Sequence, residues 1–443
     1  MALKGLDIFK LTPKTNCKDC GIPTCMAFAM KVAQGTVALE ACPHMSEEAL
    51  ATIGAATAPP MKSLKIGAGE RAYQLGGETV LFRHDKTFVS KCLYGVAVKP
   101  QDADKVLPEI LKIDYERISE RMYVELLFVE YAGDKDAFLE TVKKAQAAGR
   151  TLVLSVPDPG AADEALELTK GQNPLLCGAD ASNYEQMSAA ARRHGVALGV
   201  SGKDLDELYD TILALEKLDS KNLVIDVTGA SVKDTFSNAV QMRRAAIKDG
   251  DRSCGYPSIV NLEKLAPGDT NMQLALASVF TLKYGSIIIL GGMSYAQALP
   301  LYGLRQNIFT DPQKPMTVSP GVYPINGADE NAVCATTVDF ALTYFIVSGE
   351  LERSGVPVNL LISDAGGYSV LTAWAAGKLS AASLEKFFRE NGIGDKIKNR
   401  TLLIPGKVAV LKGEIEESLP GWNILVAPNE AVGLVKYMKE LAV

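Results

Sequence analysis

From about residue 93 the apolar residues come in short solid blocks rather than in alternation. Eight blocks stand out, at 94–98, 123–129, 151–156, 175–177, 196–200, 222–227, 257–261 and 286–290. Blocks apolar throughout suit strands buried on both faces. Amphipathic stretches separate them, at 135–148, 184–194, 205–218, 232–248 and 271–284 among others. Eight βα units in about 230 residues predict a (β/α)8 TIM barrel.

The flanks follow other rhythms. The opening segment, to residue 57, predicts a helix over 26–39 and a short helix after Ser46, whose side chain suits an N-cap. The Ala/Pro stretch 55–60 reads as a linker. Short strands are expected at 64–66, 72–75, 79–82 and 87–89, with Gly76-Gly77 as a hairpin turn. Beyond the barrel, Pro312, Pro315, Pro320 and Pro324 forbid a helix, so 310–327 reads as a connector. Helices at 336–351, 368–378, 384–390, 408–417 and 430–441 then alternate with strands at 358–363, 401–404 and 423–427. That pattern predicts a small parallel α/β domain. The expected division is 1–57, 58–92, 93–325 and 326–443, an α/β multidomain chain.

Composition narrows the function. Of 443 residues, 47% are apolar and 22% charged, too apolar for a disordered chain. A net charge of −6 argues against a nucleic-acid partner, and no basic patch invites anionic lipid. No apolar run approaches the ~20 residues that span a bilayer. The N-terminus has no apolar core of a secretory signal. A cytoplasmic protein is expected. With only His44, His84 and His194, a multi-histidine metal site is excluded.

The cysteines carry the sharpest chemistry. Cys17, Cys20, Cys25 and Cys42 crowd the first tenth of the chain, while Cys92, Cys177, Cys254 and Cys334 are scattered singly. Three of the first four share one loop around Gly21 and Pro23, and the fourth returns after a helix. Four soft thiolates on a close-set loop suit a [4Fe–4S] cubane. A structural zinc site with four cysteine ligands is the alternative. His44, two residues beyond Cys42, either tunes that site or is simply exposed.

In the last domain, the strand end Ser363-Asp364-Ala365-Gly366-Gly367-Tyr368 opens onto a helix whose Ser369, Thr372, Ala373 and Ala376 share one small flat face. Such a face admits a planar ligand or a closely packed helix. Thr336, Phe340, Thr343 and Val347 form a partly polar helical stripe beside it. Pro405-Gly406 and Pro428-Asn429 complete a candidate crevice rim at the strand ends. In the barrel, Asp158, Asp180, Asp204, Asp226, Thr228 and Asn261 stand at strand ends, where several, such as Asp180, read equally well as helix N-caps. A degenerate or docking barrel is expected.

Three segments together carry a family resemblance. KTNCKDCGIPTCMAFAMKV with the later ACP, TVLFRHDKTF and LLISDAGGYSVLTAWAAGK resemble the large subunit of corrinoid/iron-sulfur proteins of the reductive acetyl-CoA pathway. The likeness covers the whole chain. It implies a [4Fe–4S] domain, a TIM barrel and a C-terminal Rossmann-like cobalamin-binding α/β domain. It implies that Cys17, Cys20, Cys25 and Cys42 hold the cluster. It places a corrinoid against Gly366, Gly367, Ser369, Val370, Leu371, Thr372 and Ala373, with Thr336, Phe340, Thr343, Ile346 and Gly433. Thr372 would stand near the lower face, holding a water. The usual corrinoid fingerprint, Asp-x-His-x-x-Gly, is absent, and no His lies beyond His194. The corrinoid would therefore be base-off without a His ligand. The implied activity is that of a methyl carrier in a corrinoid-dependent methyltransferase system, with the cluster reductively reactivating cobalt. The implied partners are a small barrel subunit in a heterodimer, a methyltetrahydrofolate-dependent methyltransferase, and acetyl-CoA synthase/CO dehydrogenase. Two rival classes remain. One is an Fe–S electron-transfer protein with a scaffold barrel. The other is a pterin methyltransferase using Asp158, Asp226 or Asn261.

Overall fold

The computed structural model describes residues 5–33, 36–50, 53, 60–311 and 315–442. The chain folds as two compact units. One contains residues up to 82, 88–111 and 124–305; the other contains 83–87, 112–123 and 306–443.

In the N-terminal segment, helices Gly5–Leu11 and Cys25–Ala33 pack through Ile8, Phe28, Ala29 and Val32. The second helix is shorter than expected, and a 3-10 turn, Leu39–Ala41, follows it. Thr36 and Val37, which are β-branched, are poor helix formers and suit the break in the pattern. Ser46 Oγ accepts the Ala49 N–H at 3.2 Å, as an N-cap does. The linker expected at 55–60 lies outside the described residues except for Pro60.

Strands β1 (Ser63–Ile66) and β2 (Tyr73–Gly76) pair antiparallel through the loop 67–72, not through a turn at Gly76-Gly77. Both glycines have φ near +77°, which turns the chain out of the ladder. Residues 79–82 and 87–89 form no strand. Leu64, Ile66 and Leu75 join Leu93, Leu126, Val153 and Ile287 in the barrel's interior core. The hairpin closes the barrel's amino end: Arg71 O accepts from Thr151 Oγ1 and Asn173 O from the Gly67 N–H.

All eight apolar blocks form barrel strands. Between β3 (Leu93–Val98) and β6 (Leu126–Glu130) comes a hairpin, β4 (Asp114–Arg117) and β5 (Glu120–Tyr123). The barrel continues with β7 (Thr151–Ser155), β8 (Leu175–Ala179), β9 (Ala197–Val200), β10 (Leu223–Asp226), β11 (Ser258–Asn261) and β12 (Ile287–Leu290). β12 pairs with β3, so the parallel sheet closes. The block at 123–129 is thus two things. Its first residue ends the β4–β5 hairpin, whose tip residues Ile118 and Ser119 are left-handed. That hairpin belongs to the second unit. Beside the barrel strands lies a buried ion pair, Glu125–Arg305 at 2.7 Å, with Arg305 also stacked against Tyr94 and Tyr302.

The second unit is built on a five-stranded sheet in the order β13-β15-β14-β16-β17, where β13 is Gly321–Ile325, β14 Val333–Val338, β15 Val358–Ser363, β16 Thr401–Ile404 and β17 Asn423–Val426. Two expectations are corrected here. The stretch read as a connector contains β13, which runs antiparallel to β15 at the sheet edge, where Pro324 withholds no needed donor. The helix expected at 336–351 begins as β14, and the helix itself is Ala341–Ser354. Val333, Thr336, Thr337 and Val338 are β-branched and favour a pleated strand over a helical turn. The helical stripe Thr336-Phe340-Thr343-Val347 therefore does not exist as one.

Candidate functional site

Among the described residues, two places gather the side chains expected to hold cofactors. The first is the cysteine loop. Lys14, Asn16 and Lys18 all adopt positive φ, as does Gly21, so the backbone coils tightly around Cys17 and Cys20. The Asn16 N–H donates to Cys25 Sγ at 3.4 Å, and the Cys25 N–H donates to Asn16 Oδ1 at 2.8 Å. Amides aimed at sulfur are what a thiolate-held cluster requires. Cys25 and Cys42 are buried, Cys20 is partly buried, and Cys17 is exposed. Cys20 and Cys42 sit within the apolar cluster of the segment, beside Ile22 and Phe28. His44 Nε2 and Asp19 Oδ2 pair at 2.6 Å, and together with Cys17 Sγ their ligand atoms lie within 4.8 Å of one another. That trio brings a carboxylate beside Cys17, which the spacing did not indicate. The His44 contact lowers the Asp19 pKa below the ordinary aspartate value.

The second place is the carboxyl end of the sheet in the second unit. The connections from β14 run to β15 on one side, while β16 lies on the other. This is the switch point at which open α/β sheets form a crevice. A cavity of ≈ 290 Å³ occupies it. Its walls are mostly apolar, with Ala335, Val347, Leu351, Leu403 and Leu434 deep inside. Thr337 is 1% exposed, and its hydroxyl has no hydrogen-bond partner among the described residues. An apolar cleft holding an unmet buried hydroxyl fits an organic ligand with a matching polar atom.

Several expected residues line this cavity: Thr336, Thr343, Ile346, Ser369, Val370 and Leu371, together with the rim Pro405-Gly406 and Pro428-Asn429. Others do not. Phe340 is the N-cap residue of its helix and packs against the hydrophobic core. Ala373 is fully buried in that core, so the flat face proposed for its short helix, Val370–Ala375, points partly inward. Thr372 is exposed and its hydroxyl meets Ser369 Oγ at 2.9 Å. Gly366 is exposed and Gly367 buried in the loop below, while Gly433 ends a 3-10 turn outside the lining. His84 belongs to this unit, with its side chain 79% exposed and away from the lining.

Two residues at the site escape sequence reasoning. Thr337 is masked by its neighbour Thr336, whose hydroxyl is already satisfied by Leu361 O. Asp339, just past β14, accepts N–H groups from Ala365 and Gly367 and so shapes the glycine loop. Burial raises its pKa above the ordinary aspartate value. A polar residue immediately after a β-branched strand was the available signal.

The barrel's strand-end residues act structurally. Asp158, Asp204 and Asn261 accept N–H bonds from the first turns of their helices, as N-caps. Asp180 accepts from Ser182, Asp226 accepts the Thr228 N–H, and Thr228 Oγ1 accepts the Asn261 N–H.

Comparison with known proteins bears on the whole chain. A family model, CO dehydrogenase/acetyl-CoA synthase delta subunit, matches residues 63–438. An Fe–S cluster family model matches residues 13–44. The corrinoid/iron-sulfur protein large subunit of Moorella thermoacetica is 37% identical, over 99% of both chains. The acetyl-CoA decarbonylase/synthase complex subunit gamma of Methanothermobacter thermautotrophicus is 32% identical, over 100% of both. Among solved structures, a dihydropteroate synthase from Thermus thermophilus aligns with 55% of this chain and 99% of its own, at 16% identity and a TM-score of 0.39.

Proposed function

Because the chain belongs to the family of corrinoid/iron-sulfur protein large subunits, we propose that it is a methyl carrier. It accepts a methyl group from methyltetrahydrofolate through a methyltransferase and passes it to acetyl-CoA synthase. The observation that carries this reading is the switch-point cleft of the second unit, with its apolar walls and unmet Thr337 hydroxyl.

When bound, the corrinoid supplies a reduced cobalt nucleophile and a [4Fe–4S] cluster supplies the single electron that reactivates it. The chain's own residues hold and shield. Cys17, Cys20, Cys25 and Cys42 hold the cluster, and the Asn16 N–H bonds Cys25 Sγ and stabilises its negative charge. Ile346, Leu371 and Val370 at the cleft exclude water. Thr372, whose hydroxyl meets Ser369 Oγ at 2.9 Å, would hold a water beside the bound group. Residues 326–443 contain no His, so they offer cobalt no imidazole. A small barrel subunit completes the heterodimer, and the complex works in the cytoplasm. Among the described residues no helix is long and apolar enough to cross a membrane. The capping bonds of Asp158 and Asn261 count against a pterin methyltransferase acting through the barrel.

The test is a transfer experiment. Reduced, corrinoid-loaded protein with its small subunit is mixed with labelled methyltetrahydrofolate and the methyltransferase. Label becomes protein-bound and leaves when acetyl-CoA synthase is added. Protein that stays unlabelled overturns the reading.

A further inference from the structure

The cysteine loop brings a second set of metal donors to the surface. Cys17, Asp19 and His44 each place one ligand atom within 4.8 Å of the others. His44 Nε2 and Asp19 Oδ2 are 2.6 Å apart, with the Cys17 thiol beside the same carboxylate. Local structure fixes both added donors. The Gly21 N–H donates to Lys18 O at 2.8 Å, closing the turn that carries Asp19. His44 stands between Cys42 and Met45, which both pack in the apolar cluster of the segment. All three donors are exposed, so an ion reaches them directly from water.

The four cysteines make no such group. Zinc–sulfur bonds of about 2.3 Å keep two sulfurs on one ion within about 4.6 Å of each other. Among the described residues no three of these thiols gather within 4.8 Å. Their spacing suits the corners of a cluster and denies a single ion four thiolates. A thiolate, an imidazole and a carboxylate, by contrast, are donors that zinc and ferrous ions take, with a fourth position left for water. Resting on the cluster reading above, we propose that the cluster-free chain binds one divalent transition-metal ion through Cys17, Asp19 and His44. Binding releases the Cys17 thiol proton to water, and His44 keeps its ring hydrogen on Nδ1. Because Cys17 serves both groups, the ion and the cluster exclude each other.

The test titrates cobalt(II), a coloured substitute for zinc, into the full chain after chelation has removed its cluster. The wild type should bind one cobalt, with the absorption of a thiolate-bound tetrahedral ion. Cys17→Ser should lose the thiolate band. Asp19→Asn and His44→Gln should each weaken cobalt binding about tenfold, while Cys20→Ser binds it like the wild type. Both exposed-residue variants, Asp19→Asn and His44→Gln, should rebuild the cluster from iron and sulfide as the wild type does. Zinc added first should slow that rebuilding in the wild type and not in His44→Gln. A wild type that binds no cobalt overturns the proposal. So does cobalt binding that is lost in Cys20→Ser and indifferent to Asp19→Asn and His44→Gln, which assigns the ion to the four thiolates. Failure of Asp19→Asn or His44→Gln to rebuild the cluster also overturns it, because those residues then belong to the cluster site. An equal effect of zinc on the wild type and His44→Gln overturns the mutual exclusion. A wild type that binds cobalt in the expected pattern but builds no cluster overturns the cluster reading and leaves the ion site standing.

Discussion

The carboxylate of Asp339 accepts the backbone N–H of Gly367 at 3.1 and 3.2 Å, and that of Ala365 at 3.0 Å. It thereby ties the end of β14 to the loop that follows β15. Gly367 suits this clamp because its φ is +78°, and a Cβ there would stand 2.9 Å from Thr317 Cγ2.

Asp339→Ala should leave two buried N–H groups unmet and cost about 1–3 kcal/mol of stability, measured by denaturant unfolding. The acid has a pH signature as well. Burial raises its folded pKa above the unfolded one, so its contribution is full below the ordinary aspartate range, about 4, and is lost as pH rises through the raised value. Asp339→Asn lacks that titration. The stability of the wild type relative to Asp339→Asn should therefore fall as pH rises from about 4.

The cluster ligands have separable consequences. Cys17→Ala or Cys42→Ala should abolish reductive reactivation of oxidised protein and spare methyl transfer from pre-reduced protein. Single-turnover transfer with and without an external reductant distinguishes the two. Loss of transfer from pre-reduced protein would mean that the cluster does more than reactivate.

Glu125 and Arg305 pair at 2.7 Å with both side chains about 95% buried, and Glu125 also accepts the Tyr94 N–H at 3.1 Å. Removing one partner strands a buried charge. Arg305→Met should cost about 3–5 kcal/mol in equilibrium unfolding, and the double variant Glu125→Met/Arg305→Met should recover much of that.

The barrel's carboxylates should behave as caps. Asp158→Ala and Asp204→Ala should each cost about 1 kcal/mol of stability and leave methyl transfer unchanged. A loss of transfer without a loss of stability would instead assign chemistry to the barrel.

The sequence was most legible where a single rule decided the outcome. Solid apolar blocks located all eight barrel strands, because strands covered on both faces need no polar side. Pro405-Gly406 and Pro428-Asn429 marked the cleft rim because turn-forming residues directly follow the strands there. The 114–123 hairpin was hidden, since its residues are mixed and charged and its partners, such as Gln306, are distant in sequence. β14 was mistaken for helix because Thr336 and Phe340 stand four apart, a spacing that outweighed the β-branched run. Thr337 and Asp339 could not be singled out at all. What distinguishes them is burial, and burial at that point depends on β16 and β15 flanking β14, an order not written in any local pattern.

The central claim is that one chain holds both a corrinoid and a cluster. Metal analysis of protein purified without oxygen tests it directly. One cobalt and about four iron per chain are expected, with visible absorption from both groups. Iron-containing protein that lacks cobalt and cannot be reconstituted with a corrinoid would contradict it.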